Sequence, residues 1–136
     1  MSKVTGLVLA LVLGLGVMSA LAAEPIKIGA VVSATGPASF LGEPERNTLE
    51  LMAAQINAAG GLLGRKVEMV IYDDETDVNK CVLAADKLLK KDKVVAVLGP
   101  TISGNTLAIM SKFPAAKIPL ISCAAAEKIV NPVNPW

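Results

Sequence analysis

The sequence predicts an α/β fold built on a parallel sheet, and three observations support this class. Four short apolar segments alternate with segments of helical periodicity along the 136 residues. Most of the apolar segments are nearly continuous, which is typical of strands that are buried on both faces. Gly and Pro residues end the first and third of them, where a strand would turn into a helix. We therefore expect a three-layer β-α-β-α-β-α-β domain with right-handed crossovers, helices on both faces and strand order 2-1-3-4.

The first strand is predicted at residues 26–32, followed by a loop at residues 33–37. A helix should begin around Glu43–Glu45, because Pro44 and two acidic residues suit a first helical turn. Gly60 and Gly61 should end it. Apolar residues repeat at helical spacing along this segment and predict its buried face: Leu49, Met52, Ala53, Ile56 and Ala59.

The second strand is predicted at residues 66–72, and its more alternating pattern is typical of an edge strand. Asp73, Asp74 and Asp77 follow it. A metal site is one interpretation. We favour the other, in which Asp77 caps the next helix while its neighbours face solvent or helix N-termini, because the spacing fits no calcium loop. That helix should span about residues 78–90, with these side chains inward: Val78, Val82, Ala85, Leu88 and Leu89.

The third strand is predicted at residues 94–98, stopped by Gly99 and Pro100. A helix should follow from about Ser103 and end at Pro114. Its inward residues should be Leu107, Met110 and Phe113. A fourth short strand is predicted at residues 118–122, followed by a small-residue segment.

The N-terminus predicts export. Lys3 precedes an apolar run at residues 4–17, and the small-residue site Ala20-Leu21-Ala22 follows. The apolar run is shorter than the roughly 20 residues that a membrane span requires. We expect residues 1–23 to be a signal peptide cleaved after Ala22 or Ala23, which places a domain of residues 24–136 in the periplasm.

Composition excludes several classes of function. The chain has no His, which excludes catalysis with a His base and zinc bound by His. Without Lys3, basic and acidic residues balance, and aromatic residues are 3%, so nucleic acid is not an expected partner. We expect no metal and no cofactor. For Cys81 and Cys123 we favour two buried thiols over a disulfide, although spacing alone leaves the pairing open.

The predicted topology places a ligand site at the carboxyl ends of the strands. In such sheets ligands bind where the strand order reverses, here between the first and third strands. The loops at residues 33–36, 99–105 and 122–126 would meet there. Their small residues would let backbone N–H groups approach a ligand closely. An equally strong interpretation is that small residues only make tight turns.

Short motifs in a fixed order resemble a known family. They are Ile-Lys-Ile-Gly-Ala at 26–30, Thr-Gly-Pro at 35–37, Ile-Asn-Ala-Ala-Gly-Gly at 56–61, Tyr-Asp-Asp at 72–74, Val-Leu-Gly-Pro at 97–100 and Asn-Pro-Val-Asn-Pro-Trp at 131–136. Together they resemble the N-terminal lobe of type I periplasmic binding proteins, specifically the leucine/isoleucine/valine-binding receptors of ABC transporters. The resemblance covers residues 26–136.

The resemblance implies a non-catalytic solute-binding receptor whose two lobes close on an amino acid or a related small carboxylate. The implied partner is an ABC permease in the inner membrane. In the family, a Ser after the third strand and a segment after the fourth hold the ligand's α-carboxylate and α-ammonium. Carried over, these are Ser103 and the segment Ala124, Ala125 and Ala126, with Thr101 and Leu41 at the same pocket.

Two departures from the family pattern affect these expectations. The family usually has Ser or Thr where this chain has Ala126, so a carboxylate without an amine becomes an alternative ligand. The sequence also stops at Trp136, before the rest of this lobe and the second lobe. We therefore expect an incomplete N-terminal lobe with weak binding or none by itself. Alternatives are a ligand-sensing domain of a receptor or regulator, and a truncated remnant that binds nothing.

Overall fold

A computed structural model describes residues 23–133 and 135–136. Four parallel strands form one sheet, in the order β2-β1-β3-β4. This confirms the predicted strand order. The predicted signal peptide, apart from Ala23, lies outside the described residues. The strands are β1 (Ile26–Val32), β2 (Val67–Asp73), β3 (Ala96–Leu98) and β4 (Leu120–Ile121).

Helices connect each strand to the next. They are α1 (Ser39–Ala58), α2 (Val78–Lys87), α3 (Ser103–Ile109) and α4 (Lys112–Ala116). A π-helical turn, Leu88–Asp92, extends α2, and a 3-10 turn, Glu127–Ile129, follows β4. None of the helices within the described part of the chain is long and apolar enough to cross a membrane.

The central strand β1 sets the register of the sheet. Ala30 of β1 pairs with Ile71 of β2 on one side and with Leu98 of β3 on the other. Leu98 in turn pairs with Ile121 of β4. Because all four strands run parallel, the loops that follow β1, β3 and β4 leave the sheet at the carboxyl ends of the strands. The predicted ligand site lies at this end of the sheet.

One face of the sheet holds the main hydrophobic core. Val31 of β1 and Val97 of β3 point to this face and have no exposed surface. They pack with side chains from α2, its π-helical turn, α3 and α4: Cys81, Ala84, Ala85, Leu88, Ile109 and Phe113. Phe113 is the largest completely buried side chain among the residues that the structure describes. The core thus fastens α3, which begins at Ser103, to the sheet.

The opposite face is covered only in part. Helix α1 contacts β1 and β2, and Gly42 is its one buried residue. An open apolar groove runs beside α1, lined chiefly by Val32, Leu49, Leu98, Ile121 and Cys123. Because the helix covers so little of the sheet, the predicted buried stripe is wrong at two positions. Met52 is 48% exposed and Ala59 is exposed as well.

Helix α1 begins at Ser39, about one turn before the predicted start. Its first turn packs directly on the loop after β1, and a Cβ at Gly42 would lie 2.2 Å from the Ser33 carbonyl oxygen. Only glycine permits so close an approach. Pro44 therefore stands inside the helix rather than in its first turn. The rule that places Pro at a helix start misplaced this boundary.

The segment after β3 forms two short helices instead of the predicted single one. Pro114 is the third residue of α4, where a missing N–H removes no helical hydrogen bond, so it does not end the segment. The break changes which side chains point inward. Ile109 is buried, whereas Leu107 is 39% exposed, which corrects the prediction for Leu107. Val78, also predicted inward, is 43% exposed at the start of α2.

Candidate functional site

The loops that follow β1 and β3 are joined by a buried hydroxyl. The Ser33 backbone N–H donates a hydrogen bond to Thr101 Oγ1 at 2.9 Å. The Thr101 hydroxyl then donates to Glu45 Oε2 of α1 at 2.5 Å. Thr101 and Ser33 are both buried. The two loops therefore lie side by side at the point where the strand order reverses, as the topology predicts.

The loops that follow β3 and β4 meet through Ser103. The Ala126 backbone N–H donates to Ser103 Oγ at 3.2 Å. The Cys123 N–H donates to the Pro100 carbonyl at 3.3 Å, which joins the same two loops nearer the sheet. The structure thus brings Ser103 into contact with the segment Ala124–Ala126, two parts of the chain that the resemblance assigned to one pocket. We call this contact the Ser103–Ala126 pair.

The Ser122 hydroxyl fixes the conformation of the loop after β4. Ser122 Oγ accepts a hydrogen bond from the Ala124 N–H at 3.1 Å and lies 2.9 Å from the Thr106 hydroxyl of α3. Ala124 is half-buried, and Ala125 is exposed. The backbone of this loop is therefore fixed against α3 while part of it faces outward.

The Ser103–Ala126 pair has the chemistry to hold a carboxylate. A hydroxyl is both a donor and an acceptor, so Ser103 can accept from Ala126 and still donate its own proton. A ligand oxygen placed beside the pair could accept the hydroxyl proton, while the Ala126 N–H fixes the position of the hydroxyl oxygen. Hydrogen bonds to an ionised acceptor are roughly twice as strong as those between neutral groups. The half-buried position strengthens them further.

Leu41 lies on a different element from the Ser103–Ala126 pair. It is in the first turn of α1 and is 46% exposed. The Leu41 N–H donates to the Ala38 carbonyl at 3.0 Å, where the loop after β1 meets α1. That loop is held by Thr76, whose hydroxyl accepts from the Ala38 N–H at 3.1 Å and donates to the Thr35 carbonyl at 3.2 Å.

The acidic segment after β2 is built into the fold. Asp77 caps α2 by accepting from the Lys80 N–H at 2.8 Å, which confirms the predicted cap. Burial raises the pKa of Asp73, but hydrogen bonds from the Glu75 N–H and from Thr35 outweigh it and leave that pKa below the usual value. Asp74 is completely buried, which rules out the solvent-facing alternative, and its carboxylate lies against Asn105 in the first turn of α3, as the helix N-terminus alternative predicts. No cluster of three potential metal ligands occurs in the described parts of the chain.

The two cysteines are free and differ in exposure. Cys81 is buried against α3, and its thiol lies 3.8 Å from the Asn105 carbonyl oxygen. Cys123 is exposed beside the apolar groove, so the expectation of two buried thiols is wrong for it. Burial raises the pKa of the Cys81 thiol to about 12. Partial desolvation of its sulfur raises the pKa of Cys123 as well, and the nearby Glu45 carboxylate adds to that shift.

A thiol-labelling experiment should separate the two cysteines. We expect a maleimide at pH 7.5 to label one cysteine per folded chain, Cys123, because Cys81 is protonated and has no exposed surface. Both should react after unfolding in denaturant without a reductant. Peptide mass mapping reads the positions. Failure of either cysteine to react in the unfolded chain would contradict two free thiols.

Comparison with known proteins identifies the family. The sequence profile of the periplasmic binding protein family matches residues 25–136. The chain belongs to the periplasmic binding protein family. A Leu/Ile/Val-binding protein of Escherichia coli is 37% identical over 84 residues, which cover 62% of this chain and 23% of that protein. A leucine-, isoleucine-, valine-, threonine- and alanine-binding protein of Pseudomonas aeruginosa is 38% identical over 86 residues, or 63% of this chain and 23% of that protein.

Solved structures of periplasmic binding proteins share the fold. The branched-chain amino acid transporter substrate binding protein of Streptococcus pneumoniae, in complex with isoleucine, is 33% identical with a TM-score of 0.74. The similarity covers 77% of this chain and 30% of that one. A type 1 periplasmic binding protein of Bordetella pertussis has a TM-score of 0.73 at 32% identity, covering 79% and 29%. This periplasmic binding protein chain spans about a quarter of the length of the curated relatives it matches.

Proposed function

We propose that this chain is the N-terminal part of a solute-binding receptor of an ABC importer, located in the periplasm and without catalytic activity. Its ligand is a branched-chain or other amino acid, or a related small carboxylate, and its protein partner is the importer's permease. Membership in the periplasmic binding protein family supports this, as do relatives named for leucine, isoleucine and valine. The predicted signal peptide supports export, and the lack of His supports a binding role over an acid–base enzyme.

The observation that carries the proposal is the Ser103–Ala126 pair. A hydroxyl and a backbone N–H, 3.2 Å apart, stand where the loops after β3 and β4 meet. In the proposed complex the Ser103 hydroxyl donates to the α-carboxylate of the ligand, and the Ala126 N–H holds that hydroxyl in place by donating to its oxygen. Ala124 and Ala125 border the carboxylate, and Thr101 holds the neighbouring loop. Leu41 contacts the rest of the ligand from α1.

A second class of ligand follows from Ala126. Its methyl side chain offers no hydroxyl to accept a hydrogen bond from an α-ammonium group. A carboxylate that lacks the amine would need no such acceptor. L-Leucine and 4-methylpentanoate differ only in the amine and therefore separate the two classes.

Isothermal titration calorimetry on the full-length protein that the gene encodes tests the proposal. We expect L-leucine, L-isoleucine, L-valine or 4-methylpentanoate to bind. Ser103→Ala should weaken that binding by about tenfold or more, because a hydrogen bond to a charged group contributes about 1.5–3 kcal/mol. The folded structure should persist, since Ser103 is only half-buried.

Ser111→Ala is the matched control. Ser111 is an exposed residue between α3 and α4, and its side chain makes no capping hydrogen bond. Its substitution should leave the affinity unchanged. Equal affinities of wild type and Ser103→Ala would reject the assigned site. Absence of heat with all four ligands would count against the proposed function.

A further inference from the structure

Asp74 is a charged residue with no exposed surface. It directly follows β2, and its backbone is fixed at both ends. Its N–H donates to the Val32 carbonyl at 3.0 Å, and its carbonyl accepts from the Asp77 N–H at 2.8 Å. A buried carboxylate lowers stability unless hydrogen bonds replace the lost water. The partners of this side chain therefore show what it does in the fold.

Three neutral donors from three segments converge on the Asp74 carboxylate. Oδ1 accepts from the Ser33 hydroxyl at 2.7 Å and from the Thr76 backbone N–H at 2.9 Å. Oδ2 accepts from the Asn105 side-chain amide at 2.7 Å. None of the ion pairs among the described residues includes Asp74. The carboxylate is thus held by hydrogen bonds from neutral groups, each of them charge-assisted, and the Cys81 thiol lies beside it.

Each donor belongs to a segment that leads to the candidate site. Ser33 lies in the loop after β1, and its own N–H reaches Thr101. Thr76 holds the segment that precedes α1. Asn105 is in the first turn of α3, two residues after Ser103, and is itself 2% exposed. A single carboxylate therefore links the first turn of α3 to the loop after β1.

We infer that Asp74 is a positioning residue for ligand binding, an inference that rests on the proposed function. Its carboxylate holds the Asn105 amide and thereby fixes Ser103 in the place where its hydroxyl meets the Ala126 N–H. Groups that are fixed before the ligand arrives do not lose freedom on binding, so affinity is higher. Asp74 itself does not touch the ligand.

A pair of substitutions in the full-length protein that the gene encodes tests this positioning role. Asn105→Asp alone places two carboxylates against each other where a donor now meets an acceptor. We expect L-leucine affinity to fall by about tenfold or more. Adding Asp74→Asn restores one donor and one acceptor with the charge moved to position 105. That double variant should bind within about threefold of wild type, because Ser33 and Thr76 can still donate to position 74 and the bond between positions 74 and 105 can form in the opposite direction.

Hydrogen exchange gives a second readout that needs no ligand. In Asn105→Asp the amides of Ser33, Thr76 and Ala126 should exchange at least about tenfold faster than in wild type. The Val97 amide, bonded within the sheet to the Pro119 carbonyl, should keep its protection. The double variant should recover the wild-type pattern. Asp86→Asn, which removes a carboxylate paired with Lys90 and Lys112, is the control and should change neither readout.

The two readouts separate failure of this inference from failure of the proposed function. If wild type binds L-leucine and the double variant binds no better than Asn105→Asp, the positioning role is wrong. If Asp74→Ala folds and keeps wild-type affinity and exchange, it is also wrong. If wild type binds none of L-leucine, L-isoleucine, L-valine and 4-methylpentanoate, the proposed function fails. The exchange pattern then still decides whether Asp74 orders these loops.

Discussion

Replacing Phe113 by alanine should lower the free energy of unfolding by about 3–5 kcal/mol, the usual effect of removing a buried aromatic ring. Phe113 is completely buried between the sheet and the helices that cover its main core. The cavity would lie beside Val97 and Ile109, so the core could not close around it without moving a strand or a helix. Urea denaturation followed by circular dichroism measures the change.

The chain supplies its own control for this prediction. Phe40, the other phenylalanine, lies in the first turn of α1 and is 73% exposed. Phe40→Ala should change the free energy of unfolding by less than about 0.5 kcal/mol, as exposed substitutions usually do. Equal destabilisation by the two substitutions would contradict the placement of the main core on the face of the sheet that α2, α3 and α4 cover.

Replacing Gly42 by alanine should destabilise the protein by about 1–3 kcal/mol, the usual range for overpacking. The added Cβ would lie 2.2 Å from the Ser33 carbonyl oxygen and 2.3 Å from its carbonyl carbon. Backbone atoms cannot rotate away as a flexible side chain can, so α1 or the loop after β1 must move. Because Ser33 N–H reaches Thr101, that movement also disturbs the candidate site, and we expect weaker ligand binding.

Gly104→Ala is the matched control, since Gly104 is also helical. A Cβ at Gly104 would meet nothing within 4 Å. Alanine favours a helix by about 0.8–1.0 kcal/mol over glycine, so this variant should be as stable as wild type or more stable. Urea denaturation of both variants gives the comparison. A Gly42→Ala variant with wild-type stability would contradict the close packing of α1 on Ser33.

The sheet could be predicted from the sequence because its signals are local. Val-rich segments and helical periodicity predict alternating strands and helices, and the flavodoxin-like order 2-1-3-4 expected for that pattern is confirmed by the structure. The start of α1 could not be predicted in this way. It depends on Gly42 meeting the backbone of Ser33, a contact between two elements that no pattern within either segment reveals.

The candidate site likewise combines features that the sequence predicts with contacts between distant segments that it does not reveal. Family resemblance predicts that Ser103 and Ala126 share a ligand site, and the structure joins them by a hydrogen bond, while their contact with a ligand stays a prediction. The burial of Asp74 was missed, because its side-chain donors Ser33 and Asn105 are 41 and 31 residues away. An acidic residue after an edge strand is usually exposed. The bond from Thr101 to Glu45 spans 56 residues and was missed for the same reason.

The central claim is that the Ser103–Ala126 pair holds the carboxylate of a small ligand. A titration of the ¹⁵N-labelled protein with L-leucine, followed by amide chemical shifts, tests it most directly. The account predicts that the largest changes occur at the amides of Ser103 and Ala124–Ala126, with smaller ones at Ser33 and Thr101. Largest changes at Leu49, Leu98 and Cys123, which line the apolar groove, would contradict it, as would unchanged shifts throughout the protein.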